Sequence, residues 1–457
     1  MKQAVDLTSG NIFKKLLFLA LPIMGTSFVQ MAYNLVDQMW LGHIGPDAVA
    51  SAGTAGFLVW FGATLVHCAK VGVEFGVSHS FGKKNLNDCR NYMKHAVLLA
   101  VVIIVMYKLF VLLFAPFLTG LFDMDSPHVV KNSALYLRTA ITFFIFTGMN
   151  QVFSGIYNGI GNTKKSFYIS TVGLVMNLLL DPIFINGWNF IPRMEVFGAA
   201  LATGVSQFVV FLLFVRALRG EGSLLKGVSI FKKIDGYYIK GILKVGGPAF
   251  LQNGLLCIFA ACLMRITSRF GDLAVSVQGV GVQIESLSWM TCLGFSSALA
   301  AFVGQNYGAG DWSRIKNGFV ITQLTAAGIG IMSTLLFILG GEFLFSLFFK
   351  ASETDAIRLG GEYLFILGVS QIFMCVDIVS SGAFQGIGRT VPPSISNGLF
   401  FASRIPLALT LNATYLVGVH SVWWSMAATS IAKGVLLTGW FVIVLKRALK
   451  RYKTDLP

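Results

Sequence analysis

Residues 154–166 read SGIYNGIGNTKKS, and residues 381–393 read SGAFQGIGRTVPP. The two stretches share their glycines at an offset of 227, about half of the 457-residue chain. Working outward, the same offset or 226 recurs. GPDAVASAG (45–53) answers GDLAVSVQG (271–279), FGKKN (81–85) answers YGAGD (307–311), and Pro22 answers Pro248. A correspondence held over the whole length is a parallel duplication. The GIGNTKKS segment has a superficial likeness to a phosphate loop. It lacks the GxxxxGK[ST] spacing, and its partner GIGRTVPP keeps the glycines and loses the lysines. The glycines are therefore expected to end the fourth and tenth helices and turn the chain.

What is duplicated follows from composition. The chain is 55% hydrophobic and only 12% charged, with a mean hydropathy of +0.73. Apolar runs of about 20 residues mark a helical bundle in a membrane. Twelve spans are expected, near 16–41, 51–79, 93–117, 134–159, 166–187, 196–217, 241–264, 275–304, 317–347, 360–387, 393–415 and 421–445. The fold class is all-α, a polytopic protein of two six-helix lobes. The division is 1–217 for the first lobe, 218–240 for a basic linker and 241–457 for the second lobe. Duplicated six-helix units are a common build for secondary transporters.

The net charge of +15 suggests nucleic acid at first sight. Its distribution argues otherwise. Lys14, Lys15, Lys83, Lys84, Lys164, Lys165, Arg216, Arg219, Lys446 and Arg447 fall on alternate connections, all on one side. The positive-inside rule places both termini and the 218–240 linker in the cytoplasm of a multi-pass cell-membrane protein. The six cysteines are scattered, without metal-ligand spacing, and read as buried thiols. No ATP-binding segment is visible, so any pumping runs on an ion gradient.

Against this background, polar residues inside spans stand out. A carboxylate at the centre of a spanning helix costs a few kcal/mol, so it needs a partner or a task. Four candidates are Asp37, Asp181, Glu285 and Asp377. In the first span, Gln30, Asn34, Asp37 and Gln38 fall on one helix face. In MNLLLDPIF (176–184), Asn177 and Asp181 share a face, and Pro182 frees a carbonyl one turn back. Counting residues places Asp37, Asn177, Asp181 and Thr203 in one layer, in the outer half of the membrane. If they touch, two chemistries follow. Two neighbouring carboxylates cannot both ionise cheaply, so a proton can bind and leave. Alternatively, the oxygens hold Na⁺. Helix pinning by hydrogen bonds is the plainer reading.

The second half does not copy this group. Leu263 answers Asp37, Arg404 answers Asn177, and Ala408 answers Asp181. Arg404 lies within a span and needs a counter-ion, for which Asp377 and Glu285 are available. His67 is expected to be satisfied by neighbours and Lys108 to snorkel or pair. Aromatic and methionine side chains, among them Trp60, Met149 and Trp289, suit flat cationic ligands.

These residues resemble the multidrug and toxic compound extrusion (MATE) family. The likeness rests on LPIMGTSFVQMAYNLVDQMWLGHIGPDAVASAG, GIGNTKKSFYISTVGLVMNLLLDPIFI, GAALATGVSQ, VGQNYGAGD and GAFQGIGRT, in order along the chain. The resemblance implies two six-helix lobes in a V. It implies export of cationic amphipathic compounds by a monomer exchanging H⁺ or Na⁺ by alternating access, with no cofactor and no enzymatic activity. It assigns ion coupling to Asp37, Asn177, Asp181 and Thr203. It leaves Gln30, Asn34, Glu285, Asp377, Arg404, Trp60, Met149 and Trp289 as secondary or substrate-contacting positions. Some branches carry an acid in the seventh span, where Gln252 and Asn253 stand here. That departure favours the DinF-like branch, coupled through the first lobe. Bending of the first helix would map to Pro22 and Gly25. Rival readings are a flippase for lipid-linked intermediates, which would want a cationic cleft, and a dedicated metabolite exporter.

Overall fold

The computed structural model describes residues 5–120, 127–188, 192–220, 234–414 and 418–454. Most of the linker expected at 218–240 lies outside them. The described chain is almost entirely helical. The first half holds α1 (Ile12–Ile44), α2 (Pro46–Gly82), α3 (Leu86–Gly120), α4 (Pro127–Gly159), α5 (Thr163–Asn186) and α6 (Glu195–Arg219). The second holds α7 (Gly236–Thr267), α8 (Asp272–Gly308), α9 (Trp312–Ser346), α10 (Thr354–Gly368), α11 (Gln371–Gly386), α12 (Val391–Thr414) and α13 (His420–Thr454).

Ten of these helices are long and apolar enough to cross a membrane, and α10 with α11 make an eleventh as a pair bent by 51°. The sequence pattern predicts one continuous helix over 360–387; the chain breaks at Val369 and Ser370 instead. The helix α12 is long enough but less apolar, because it carries Ser394, Ser396, Asn397, Ser403 and Arg404.

The duplication is visible in backbone geometry. Gly161 and its counterpart Gly388 both take left-handed φ, 78° and 70°, just beyond α4 and α11. Glycine carries no Cβ penalty there. The expected helix-ending role of GIGNTKKS and GIGRTVPP is therefore observed. Lys84 and Gly310 repeat the device at φ 58° and 79°. The residue after each caps the next helix. Asn85 Oδ1 accepts from the Asp88 amide at 3.1 Å, and Asp311 Oδ1 accepts from the Arg314 amide at 2.8 Å.

Helix packing repeats too. A Cβ on Gly155 would stand 2.9 Å from the Lys70 carbonyl oxygen, and one on Gly159 would stand 2.9 Å from that of Glu74. In the second half, Gly382 and Gly386 meet the Ser296 and Ala300 carbonyls in the same way. Small residues four apart let backbones approach where lipid supplies no hydrophobic drive between helices.

The chain divides into two compact units, Met1–Asp6 with Leu21–Phe250, and Leu7–Ala20 with Leu251–Pro457. The first unit is built on Val66, Ala69, Val73, Ile104, Phe144, Ile156 and Phe214 from α2, α3, α4 and α6. The opening of α7 belongs to it: the Asp235 amide donates to His95 Nε2 at 2.9 Å, and Tyr238 Oη donates to Asp88 Oδ1 at 2.7 Å. The second unit is built on Val277, Ile284, Tyr363, Leu364, Val422 and Trp423. The start of α1 belongs there. The Leu7 amide donates to Gln305 Oε1 at 3.0 Å, and Arg314 Nη2 donates to the Ser9 and Gly10 carbonyls at 2.8 and 2.9 Å.

Five of the six cysteines are buried free thiols, as expected; Cys262 is exposed. Lys108 is half-buried and donates to the Thr142 carbonyl at 3.3 Å. His67 is half-buried, and no hydrogen bond to its ring is found among the described residues.

Candidate functional site

In the first unit, α1, α5 and α6 bring Asp37, Asn177, Asp181 and Thr203 into one hydrogen-bonded group. Asn177 and Asp181 lie one turn apart on α5, both fully buried. The Asn177 amide Nδ2 donates to Asp181 Oδ1 at 2.9 Å and reaches Asp37 Oδ1 at 3.4 Å and Thr203 Oγ1 at 3.3 Å. Thr203 Oγ1 donates to Asp37 Oδ2 at 3.1 Å. One amide thus serves both carboxylates, which puts their oxygens within about 6 Å of each other, in range for one charge to oppose the other.

The helix geometry explains the arrangement. Asp37 is half-buried on α1, whereas Gln30, Asn34 and Gln38 on the same helix are exposed. The structure thus separates Asp37 from the rest of the polar stripe. The helix α5 runs on through Pro182, which has no amide hydrogen to give the Leu178 carbonyl. Asp181 Oδ2 and Asn177 Oδ1 have no hydrogen-bond partner among the described residues. Buried polar atoms are nearly always partnered, so oxygens left over beside two carboxylates mark a place for a proton or a hard cation. Among the described residues no group of three or more His, Cys, Asp or Glu could hold a metal ion.

Two tyrosines join the group without having been singled out in the sequence. Tyr33 stands one turn before Asp37, is 8% exposed, and its Oη has no partner among the described residues. Its hydroxyl occupies the space that a Cβ on Gly173 would need. Tyr136 of α4 is an electrostatic neighbour of both Asp37 and Asp181. The i−4 spacing of Tyr33 to Asp37 was the one signal in the sequence, and Tyr136 had none. Trp60 is 48% exposed, Met149 is buried, and Trp289 is half-buried.

The second unit holds a different group. Asp377 acts on Arg404 electrostatically, but its ion pair is with Lys433. Its Oδ2 meets Lys433 Nζ at 2.9 Å, with both side chains under a tenth exposed. Lys433 Nζ also donates to Asn397 Oδ1 at 2.9 Å. Lysine needs an anion when buried, and Asp377 is the one beside it. Arg404 instead donates Nε to Thr429 Oγ1 and Nη2 to Ser430 Oγ, each at 3.0 Å. Glu285 is its electrostatic neighbour, though no ion pair of Arg404 within 4.0 Å is found among the described residues. A fifth buried acid, Glu74 on α2, is 2% exposed with Lys70 one turn before it. A carboxylate inside an apolar helix was the signal that would have found it.

With this geometry in place, comparisons with known proteins place the chain. It is 27% identical over 433 residues to "Probable multidrug resistance protein NorM" of Thermotoga maritima, covering 93% of this chain and 91% of that protein. It is 24% identical over 446 residues to the "FAD transporter" of Shewanella oneidensis, covering 95% of each. The fold matches the crystal structure of MATE in complex with MaL6 at a TM-score of 0.91 and 22% identity, over 98% of this chain and 100% of that one. The MatE family model matches twice, over residues 22–183 and 248–410, at the spacing of the internal repeat. The chain belongs to the MatE family, a family of membrane transporters and not of enzymes.

Proposed function

We propose that this transporter exports cationic amphipathic compounds, by alternating access, in exchange for H⁺ or Na⁺ taken at the Asp37, Asn177, Asp181 and Thr203 group. The observation that carries the reading is the pair of carboxylates served by one amide, with Asp181 Oδ2 and Asn177 Oδ1 unpartnered. No fixed cation of the protein is ion-paired to Asp37 or Asp181 among the described residues. A group with excess negative charge in a low-dielectric setting binds a mobile cation.

Coupling then needs nothing beyond competition. A small cation arriving from outside neutralises the group, weakens the hold on cationic cargo and favours its release. After the switch the cation leaves inward. The two ligands differ in affinity between states, which is what couples them. The names of the multidrug resistance relatives support drug export, and another relative is named a FAD transporter. The carboxylates of the Asp37 and Asp181 group speak against a pyrophosphate-binding flippase. A multi-pass plasma-membrane location with both termini cytoplasmic, and a monomeric state, complete the reading. Efflux of an ethidium-type dye from vesicles, under H⁺ and Na⁺ gradients imposed separately, tests it. One gradient should drive export; export under neither would overturn the reading.

A further inference from the structure

Among the described residues of the second unit, the acids buried within the spans are Asp377 and Glu285, and Lys433 and Arg404 are the bases near them. Asp377 and Lys433 satisfy each other at 2.9 Å, and Asn397 takes a further Lys433 proton. That leaves Glu285 on α8 and Arg404 on α12. Arg404 is held in place by neutral groups: Thr429 and Ser430 hydroxyls at 3.0 Å, and the Phe401 ring, whose centroid lies 4.8 Å from the guanidinium carbon. These contacts fix its direction without cancelling its charge, and no hydrogen bond from Nη1 is found among the described residues. Arg404 is half-buried. Glu285 is 7% exposed, and its Oε1 has no hydrogen-bond partner among the described residues. The two are electrostatic neighbours with no ion pair between them among the described residues, and the Tyr363 side chain lies beside Glu285. Trp289 stands one turn beyond Glu285 on α8, half-buried.

We propose that Glu285 and Arg404 form a cargo subsite for compounds carrying both an amine and a carboxylate. The ligand ammonium sits against Glu285 with Trp289 beside it, and the ligand carboxylate takes the free edge of Arg404. A buried unpaired charge is costly, and a ligand with matched charges at matched separation completes both ends at once. Guanidinium is suited to the carboxylate end because its planar fork gives parallel hydrogen bonds. A purely cationic compound satisfies Glu285 alone and leaves Arg404 facing a positive ligand. The subsite therefore selects zwitterions over their esters. It rests on the exporter reading for its biological use, but binding needs no gradient, so the two stand or fall separately.

The test uses the full chain in nanodiscs with two dyes. Rhodamine 110 bears the amine-substituted ring system and a free carboxylate; rhodamine 123 is its methyl ester. The wild-type protein should bind the acid about ten-fold more tightly than the ester, as one charge-assisted pair allows. Arg404→Gln should remove that preference by weakening the acid alone, and Arg404→Lys should restore part of it. Glu285→Gln should weaken both dyes alike, since both keep the amine. Asp37→Asn should retain the preference, which separates this subsite from ion coupling. Equal binding of the two dyes by wild-type protein overturns the proposal without any variant. Equal loss of both dyes in Arg404→Gln also overturns it, leaving Arg404 with a helix-positioning role.

Discussion

Two halves built on one plan surround their span acids differently. In the first unit, Asp37 and Asp181 share a neutral partner, Asn177, Thr203 donates to Asp37, and no fixed cation is ion-paired to them among the described residues. In the second, Asp377 has Lys433 at 2.9 Å, and Glu285 has Arg404 as a charged neighbour. The backbone repeats closely enough that Gly161 and Gly388, or Lys84 and Gly310, take the same left-handed turn. The side chains in the spans do not repeat: Arg404 stands where the first half has Asn177. A buried acid with its own cation is neutralised within the fold. A buried acid without one is free for a cation that comes and goes.

This contrast can be broken or sharpened by substitution. The largest effect is expected from Asp37→Asn, which removes the accessible carboxylate of the first group. Coupled dye efflux should fall to background while the protein still inserts; wild-type efflux would erase the distinction between the halves. Next is Lys433→Met, which strands Asp377 in the second unit. Breaking a buried pair from one side costs about 3–5 kcal/mol. A lowered unfolding temperature in detergent should reveal it, and Lys433→Met with Asp377→Leu should recover most of the loss. If the single variant is as stable as wild type, the pair is not the anchor described here.

Gly173→Ala tests how closely Tyr33 is held against α5. The new methyl needs the space of the Tyr33 hydroxyl and of Val210. Overpacking of this kind costs about 1–3 kcal/mol and should move α1 relative to Asn177, lowering efflux several-fold. Unchanged efflux would mean that Asp37 tolerates displacement of its helix. The smallest effect is expected at Trp60, 48% exposed. Trp60→Ala should change stability by no more than about 0.5 kcal/mol.

The parts of the molecule legible in the sequence share a physical reason. Left-handed turns demand glycine or a tolerant residue, so GIG at 159–161 and 386–388 announced both the repeat and the helix ends. An acid in an apolar run is rare enough to notice, which is why Asp37 and Asp181 stand out in the sequence and can be counted into one layer. Tyr33 and Tyr136 were hidden because aromatic residues are common throughout the spans. Lys433 was overlooked inside α13, a helix that ends in the basic run Lys446, Arg447, Lys450 and Arg451. The break between α10 and α11 falls in GVSQ (368–371), where no proline marks it and the apolar character runs on. The exchange of helix beginnings between units depends on contacts 298 to 307 residues apart, such as Leu7 with Gln305 and Arg314, and no local pattern encodes them.

The most direct measurement is ion release on cargo addition. Purified protein in proteoliposomes, with a pH dye or a Na⁺ dye present and no imposed gradient, receives a cationic substrate. Competition for one negative group requires that wild-type protein release H⁺ or Na⁺ as the substrate binds, and that Asp37→Asn release neither. Equal release from both proteins would contradict the account, because the charge exchanged would then lie somewhere other than the carboxylate shared by α1, α5 and α6.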